Sequence, residues 1–211
     1  RIYEPHEHDV RTPINGIMGM LDIIRKNRQD EAKVDDCLDK INLPQAICWQ
    51  LVNDVLDMNK LESGKETIES ASFDLTHLMD DVASLVNAQI TEMGITHRMH
   101  RGELTHTRLI GSPLRLRQIM LNLFSNAIKY NKPGGTIDTY AGEVSCDGTR
   151  VVYEFRIMDS GIGMSSEFIE KELFHPFTQE KSGARTQYKG TGLGMSIVKE
   201  TDTKKCRARS R

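Results

Sequence analysis

Apolar residues recur near the start of the chain at spacings of four and three, at Val10, Ile14, Ile17, Leu21 and Ile24. This is the a/d rhythm of a bundle helix, and it predicts a helix over about residues 4–27 with one face buried. The polar stretch Lys26 to Asp30 interrupts the rhythm. A second helical run, from about 31 to 63, carries Leu38, Ile41, Ile47, Leu51, Val55 and Met58. Two helices joined by a short polar turn make an antiparallel hairpin, which by itself covers only one face of each helix. A second copy completing a four-helix bundle is the expected cover, so the pattern predicts a homodimer. Pro44, inside the second run, removes a backbone donor and predicts a kink.

The stretch Glu62-Ser-Gly-Lys-Glu66 ends this run at Gly64 and reads as a turn into a new domain. The expected organisation is a helical domain over 1–66 and a second domain over 67–211. Beyond the boundary, helical patterns at about 74–93 and 113–130 alternate with strand-like runs, most plainly Arg150 to Met158 with its β-branched and aromatic residues. The second domain is therefore expected to be α+β or α/β.

Composition narrows the partners. The 28 basic and 30 acidic residues leave a formal charge of −2, which gives no bulk attraction to nucleic acid or an anionic membrane. Five of the last eight residues are basic, and a solvated tail is the ordinary reading of such a run. Cys37, Cys48, Cys146 and Cys206 form no C-x-x-C pair and have no histidine at zinc spacing, which suits a reducing cytosol without a disulfide framework. No apolar run reaches membrane-spanning length and no secretory leader is present, so a cytoplasmic location is expected. Arg1 is not an initiator methionine, which leaves room for a membrane-anchoring part of a parent protein before it.

Several segments carry candidate chemistry. His8 lies nine residues from Ile17, half a turn away in angle, and is expected to face solvent. Neutral imidazole is a nucleophile near pH 7, and a neighbouring carboxylate such as Asp9 can hold the proton of the opposite ring nitrogen. Asn122, Asn126, Lys129 and Tyr130 fall near one face of a helix, where amide oxygens suit Mg²⁺ and a lysine suits phosphate. Asp159-Ser-Gly161-Ile-Gly163 follows the plainest strand and could offer a carboxylate and close backbone to a flat ligand. Gly190-Thr191-Gly192-Leu193-Gly194 opens a helix and could present N–H groups to phosphate. Glu180 to Lys189 has the polarity of a mobile lid, and Phe174 and Phe177 before it read as packing residues that anchor it. There is no P-loop and no dinucleotide G-x-G-x-x-G. Taken singly, a His–Asp pair, a polar helix face and a D-x-G-x-G turn are all common on ordinary surfaces.

In order, however, the segments resemble the boxes of sensor histidine kinases. His8-Asp-Val-Arg-Thr-Pro13 with Ile14-Asn-Gly-Ile17 is similar to the H-box, and Asn53 to Lys65 resembles the end of the second helix in the hybrid-type branch. Asn122 to Tyr130, Asp159 to Gly163, Leu173 to Gln179 and Gly190 to Gly194 resemble the N, G1, F and G2 boxes. The resemblance implies a dimeric phosphoacceptor hairpin followed by a Bergerat-type α/β sandwich that binds ATP and Mg²⁺. It implies that Asn126 with Asn122 serves the metal, Lys129 and Tyr130 phosphate and ribose, and Asp159 the adenine amino group. Gly161, Gly163 and the Gly190, Thr191, Gly192, Leu193, Gly194 turn would complete the nucleotide site. His8 would take the γ-phosphate with Asp9 as base or orienting partner, and Thr12 matches a position that assists hydrolysis of the phosphorylated partner. The phosphoryl group would pass to an aspartate on a response-regulator receiver domain, which the chain does not contain.

The pattern departs after Ser196 to Glu200, where a longer helix, a Gly-Gly turn and two more strands would continue it and Thr201 to Arg211 stands instead. The sandwich is thus expected to lack its last strands and expose an edge. Ser112 and Lys189 stand where the family commonly has Asp and Gly. Two further readings stay open: a docking module derived from a kinase but unable to bind ATP, and a Bergerat-fold ATPase of another class.

Overall fold

The computed structural model describes residues 7–41, 52, 56, 70–180, 191–203 and 209–210. Helix α1 spans Glu7–Lys26 and helix α2 covers 31–41. The polar residues between them build the turn. Asn27 Nδ2 donates to the Ile23 carbonyl at 2.8 Å, Asp30 Oδ1 caps α2 by accepting from the Lys33 backbone N–H at 3.2 Å, and Lys33 Nζ reaches Asn27 Oδ1 at 3.0 Å. Cys37 is buried, and Ile17 and Ile24 are half-buried. Ile14, Met18, Leu21 and Leu38 remain 46%, 56%, 42% and 50% exposed. The expected buried face is therefore only partly covered, because one hairpin supplies half of a bundle. Pro44, Gly64 and the boundary near residue 66 lie outside the described residues.

The second part runs β1 (Ala71–Asp74), α3 (Leu75–Glu92), β2 (Thr96–Arg101), β3 (Arg108–Gly111), α4 (Pro113–Lys129), β4 (Thr136–Cys146), β5 (Val151–Asp159), α5 (Ser166–Lys171), α6 (Gly194–Thr203) and β6 (Arg209–Ser210). The helices expected at 74–93 and 113–130 are α3 and α4, and the plainest strand is β5. Local chemistry sets their ends. Asp74 Oδ1 caps α3 by accepting from the Thr76 and His77 backbone N–H groups at 2.9 and 3.2 Å. Its hydrogen bond from the Thr76 hydroxyl, with these and one from Thr107, lowers the carboxyl pKa to about 2. Gly94, at φ 63°, turns the chain out of α3, and Pro113 opens α4 at a position where its missing N–H costs nothing.

Two three-stranded sheets form among the described residues. One has the order β2-β4-β5, with β2 parallel and β5 antiparallel to β4. Ile137, Thr139 and Ala141 alternate inward along β4, and Ile137 and Ala141 pack with Met79, Val82, Val86 and Ile90 of α3 and with Met120, Phe124 and Ile128 of α4. Helices on one face of a mixed sheet give the expected α/β sandwich. Its other face mixes charged residues with the exposed Val152 and Met158, and there Asp138 lies 3.6 Å from Arg98 and 3.3 Å from His100. The other sheet is antiparallel, β1-β3-β6. β3 pairs with Arg209 and Ser210 through Ile110 and Leu109, and β5 stands at an edge of the mixed sheet among the described residues, as expected where further strands would continue it.

Candidate functional site

Helix α4 is the wall on which the site is built. Met120, Phe124, Ala127 and Ile128 bury one side of it, which leaves Asn122, Asn126 and Lys129 half-buried at the i, i+4 and i+7 positions of another. Tyr130 closes the helix, its N–H donating to the Asn126 carbonyl at 3.0 Å. Lys129 Nζ donates to the Tyr130 hydroxyl at 2.9 Å and lies 4.5 Å from that ring's centre.

The turn after β5 packs against the end of α4. Ile162 N–H donates to the Tyr130 carbonyl at 3.1 Å, and Gly161 N–H donates to Asp159 Oδ1 at 2.9 Å. A Cβ on Gly161 would overlap the Tyr130 carbonyl and stand 2.7 Å from Asp159 Oδ1, so only glycine allows this approach. Gly163, at φ 65°, has open space around it.

A buried amide, missed by the sequence reading, locks this corner. Asn131 is 1% exposed. Its Nδ2 donates to the Thr136 carbonyl at 3.1 Å, and its Oδ1 accepts from Lys132 N–H at 3.0 Å and from the Ser160 hydroxyl at 3.1 Å. Ser160 Oγ in turn accepts from Thr136 N–H at 2.8 Å. The network ties the end of α4 to the start of β4 and to the glycine turn. The only trace in sequence is the turn signature Asn131-Lys-Pro-Gly-Gly135.

The second turn meets α4 about two helical turns earlier, at Asn122. Leu193 N–H donates to Thr191 Oγ1 at 3.3 Å, and Gly192 adopts φ 70°. A Cβ on Gly192 would stand 2.8 Å from the Phe177 carbonyl carbon and 2.9 Å from the Thr178 oxygen. Phe177 N–H donates to the Gly192 carbonyl at 3.1 Å, and Phe177 itself carries a positive φ of 62°, rare for a bulky residue. Its side chain packs on the fully buried Leu193 and Ile197. The packing role expected of Phe177 is therefore observed, whereas Phe174 is 39% exposed, with Lys199 Nζ 5.2 Å from its ring centre. Gly194 begins α6, and its carbonyl accepts from Asn122 Nδ2 at 3.3 Å.

Thus α4 contacts both glycine turns, through Tyr130 at one end and Asn122 nearer its middle. Hard amide oxygens, a cation, a carboxylate and the open N-terminus of α6 are donors of the kind that a Mg²⁺–polyphosphate takes. Behind α4, His97 lies edge-on to Phe124 at 5.5 Å with Nε2 3.0 Å from Thr139 Oγ1, and burial pushes its pKa below the usual histidine value. His8, Asp9 and Thr12 belong to the first turns of α1, where the backbone is helical and the side chains lie outside the described residues. Gly190 and the lid segment 181–189 lie outside them too. No helix among the described residues is long and apolar enough to cross a membrane.

Two family models match the chain: the His Kinase A (phospho-acceptor) domain over residues 7–64, and the histidine kinase-, DNA gyrase B- and HSP90-like ATPase over 111–209. The chain is 35% identical over 192 residues to hybrid signal transduction histidine kinase B of Dictyostelium discoideum, covering 91% of this chain and 10% of that protein. It is 34% identical over 193 residues to the signal transduction histidine-protein kinase BarA of Escherichia coli (strain K12), covering 92% and 21% respectively. The chain thus spans between a tenth and about a fifth of the length of these relatives. Full-length ShkA, solved in complex with AMPPNP, superposes with a TM-score of 0.65 at 27% identity over 93% of this chain and 39% of that one.

Proposed function

The chain belongs to the sensor histidine kinases, with a phosphoacceptor region followed by a histidine-kinase-type ATPase domain, and on that premise we propose that it binds ATP with Mg²⁺ and phosphorylates its own His8. The observation that carries the reading is the hold of α4 on both glycine turns, through the Tyr130 carbonyl on Ile162 and Asn122 on Gly194. That arrangement makes one cradle from three segments far apart in sequence.

In this cradle Asp159 accepts from the adenine amino group, and Gly161 and Gly163 let the ring lie close to backbone. Lys129 and Tyr130 meet phosphate and ribose. Thr191, Gly192, Leu193 and Gly194, with Gly190, present the α6 N-terminus to the phosphates. Asn126, with Asn122, would hold Mg²⁺, whose charge offsets that of the β- and γ-phosphates. The neutral His8 imidazole attacks the γ-phosphorus. An N–P bond forms, the P–O bond to ADP breaks, and Asp9 takes or orients the remaining ring proton. Positioning and charge neutralisation supply most of such a rate enhancement.

The phosphoryl group then passes to an aspartate of a response-regulator receiver domain, with Thr12 assisting hydrolysis at that partner. The open Ile14, Met18, Leu21 and Leu38 positions suit a homodimer of hairpins. The domains divide near residue 66, and the chain acts in the cytoplasm. The match of residues 7–64 to a phosphoacceptor region favours kinase action over an ATPase whose hydrolysis drives a clamp.

The adenine assignment is tested by titrating ATP and GTP into the wild type and Asp159→Asn. The wild type should prefer ATP, and the variant should lose at least about tenfold in ATP affinity, a difference of ~1.4 kcal/mol. Equal ATP affinity in both proteins would remove Asp159 from the site.

A further inference from the structure

A histidine, a glutamate and a cysteine that take no part in the nucleotide site meet at the opposite end of the β4–β5 hairpin. Ile137 pairs with Asp159 at the nucleotide end and Cys146 with Val151 at the other, a separation of about 30 Å at ~3.3 Å per residue. His106 enters from the β2–β3 connection. Glu143 Oε2 accepts from the backbone N–H groups of Thr105 and His106, both at 3.1 Å, and Oε1 lies 2.9 Å from His106 Nδ1. The Tyr153 hydroxyl donates to the His106 carbonyl.

With Glu143 Oε1 on Nδ1, the other ring nitrogen, Nε2, is the one turned toward Cys146. Nε2 lies 4.0 Å from Cys146 Sγ. A β-bulge produces this meeting. Glu143 pairs with Tyr153 and Cys146 with Val151, and those partners, two apart, share the inward face of β5. Glu143 and Cys146, three apart, share a face only because the register shifts between Glu143 and Ser145.

We propose that His106 Nε2 and Cys146 Sγ bind a thiophilic d¹⁰ metal ion of the zinc class, with Glu143 as the positioning residue that orients the imidazole. Metal–nitrogen and metal–sulfur bonds of ~2.0 and ~2.3 Å bridge the observed 4.0 Å gap at an open angle, leaving room for water ligands. Ligand atoms of all three residues lie within 4.8 Å of one another. A carboxylate on the far ring nitrogen is the arrangement that fixes the tautomer of a metal-bound histidine and raises its basicity. The bound ion straps the β2–β3 connection to the end of β4. Sequence spacing gave no sign of the site because 40 residues separate His106 from Cys146.

The test uses the whole chain, freed of metal and reduced, titrated with Co²⁺ as a spectroscopic probe and then with Zn²⁺ in competition. One equivalent of Co²⁺ should give a thiolate-to-cobalt charge-transfer band that Zn²⁺ abolishes. Cys146→Ser should lose the band, His106→Gln should lose tight binding, and Glu143→Gln should bind about 10–100-fold more weakly. Unchanged circular dichroism and ATP binding would show that each variant is folded. A band that survives in Cys146→Ser, no binding by the wild type, or unchanged affinity in Glu143→Gln would each overturn the proposal.

Discussion

Replacing Asn131 by alanine removes the amide that joins α4, β4 and the glycine turn. Three hydrogen bonds go: to the Thr136 carbonyl, from the Ser160 hydroxyl and from Lys132 N–H. The Thr136 carbonyl keeps Ser160 N–H at 3.0 Å, and Lys132 is exposed enough for water to replace its partner. The loss is therefore close to the net worth of the bonds, ~1 kcal/mol each and about 3 kcal/mol in all, without a large added penalty for orphaned groups. A change of this size lowers the melting temperature of a chain this long by about 6–12 °C. Asn131→Asp keeps the acceptor but turns a carboxylate oxygen toward the Thr136 carbonyl in a buried site, and it should destabilise at least as much. Thermal unfolding followed by circular dichroism, with ATP binding measured well below the transition, reads both effects. ATP affinity should fall too, because the same corner sets the Gly161 turn against Tyr130. A fall in melting temperature under about 2 °C with unchanged ATP affinity would refute the reasoning that Asn131 locks the site.

Two further perturbations probe the account. Gly192→Ala forces a side chain into φ 70° and to 2.8 Å from the Phe177 backbone. ATP affinity measured by titration should drop at least tenfold, about 1.4 kcal/mol, while the α3–α4 core stays folded. His97 has a folded-state pKa below the 6.5 of a free histidine, so the unfolded chain takes up its proton more readily. Its contribution to stability is full above pH 6.5 and declines as pH falls through that value toward the lower folded pKa. Melting temperatures between about pH 7 and 5 should slope downward in the wild type and less so in His97→Gln, which keeps a partner for Thr139.

The parts legible in the sequence are those governed by local periodicity. The four-three rhythm around Ile14 and Leu21 gives α1, the run Arg150 to Met158 gives β5, and the helical patterns at about 74–93 and 113–130 give α3 and α4, which begin at Leu75 and Pro113. The box residues were readable because each cluster is short and contiguous. Contacts between distant segments were not. Asn131 reads as a turn residue until Ser160 and Thr136 fold around it. His106 and Cys146 meet only through a bulge that alternation does not announce. The pairing of Arg209 and Ser210 with β3 arises from a free edge rather than from strand propensity. Exposure of Phe174 beside half-buried Phe177 depends on a backbone turn at φ 62°, which an identical residue type conceals.

The central claim is that this chain phosphorylates His8 from ATP. Incubating it with γ-labelled ATP and Mg²⁺, beside His8→Ala, tests this directly. The account predicts label on the wild type that is lost in acid, as phosphohistidine is, and none on the variant. A folded wild type that binds ATP yet takes no label, or equal labelling of His8→Ala, would contradict it.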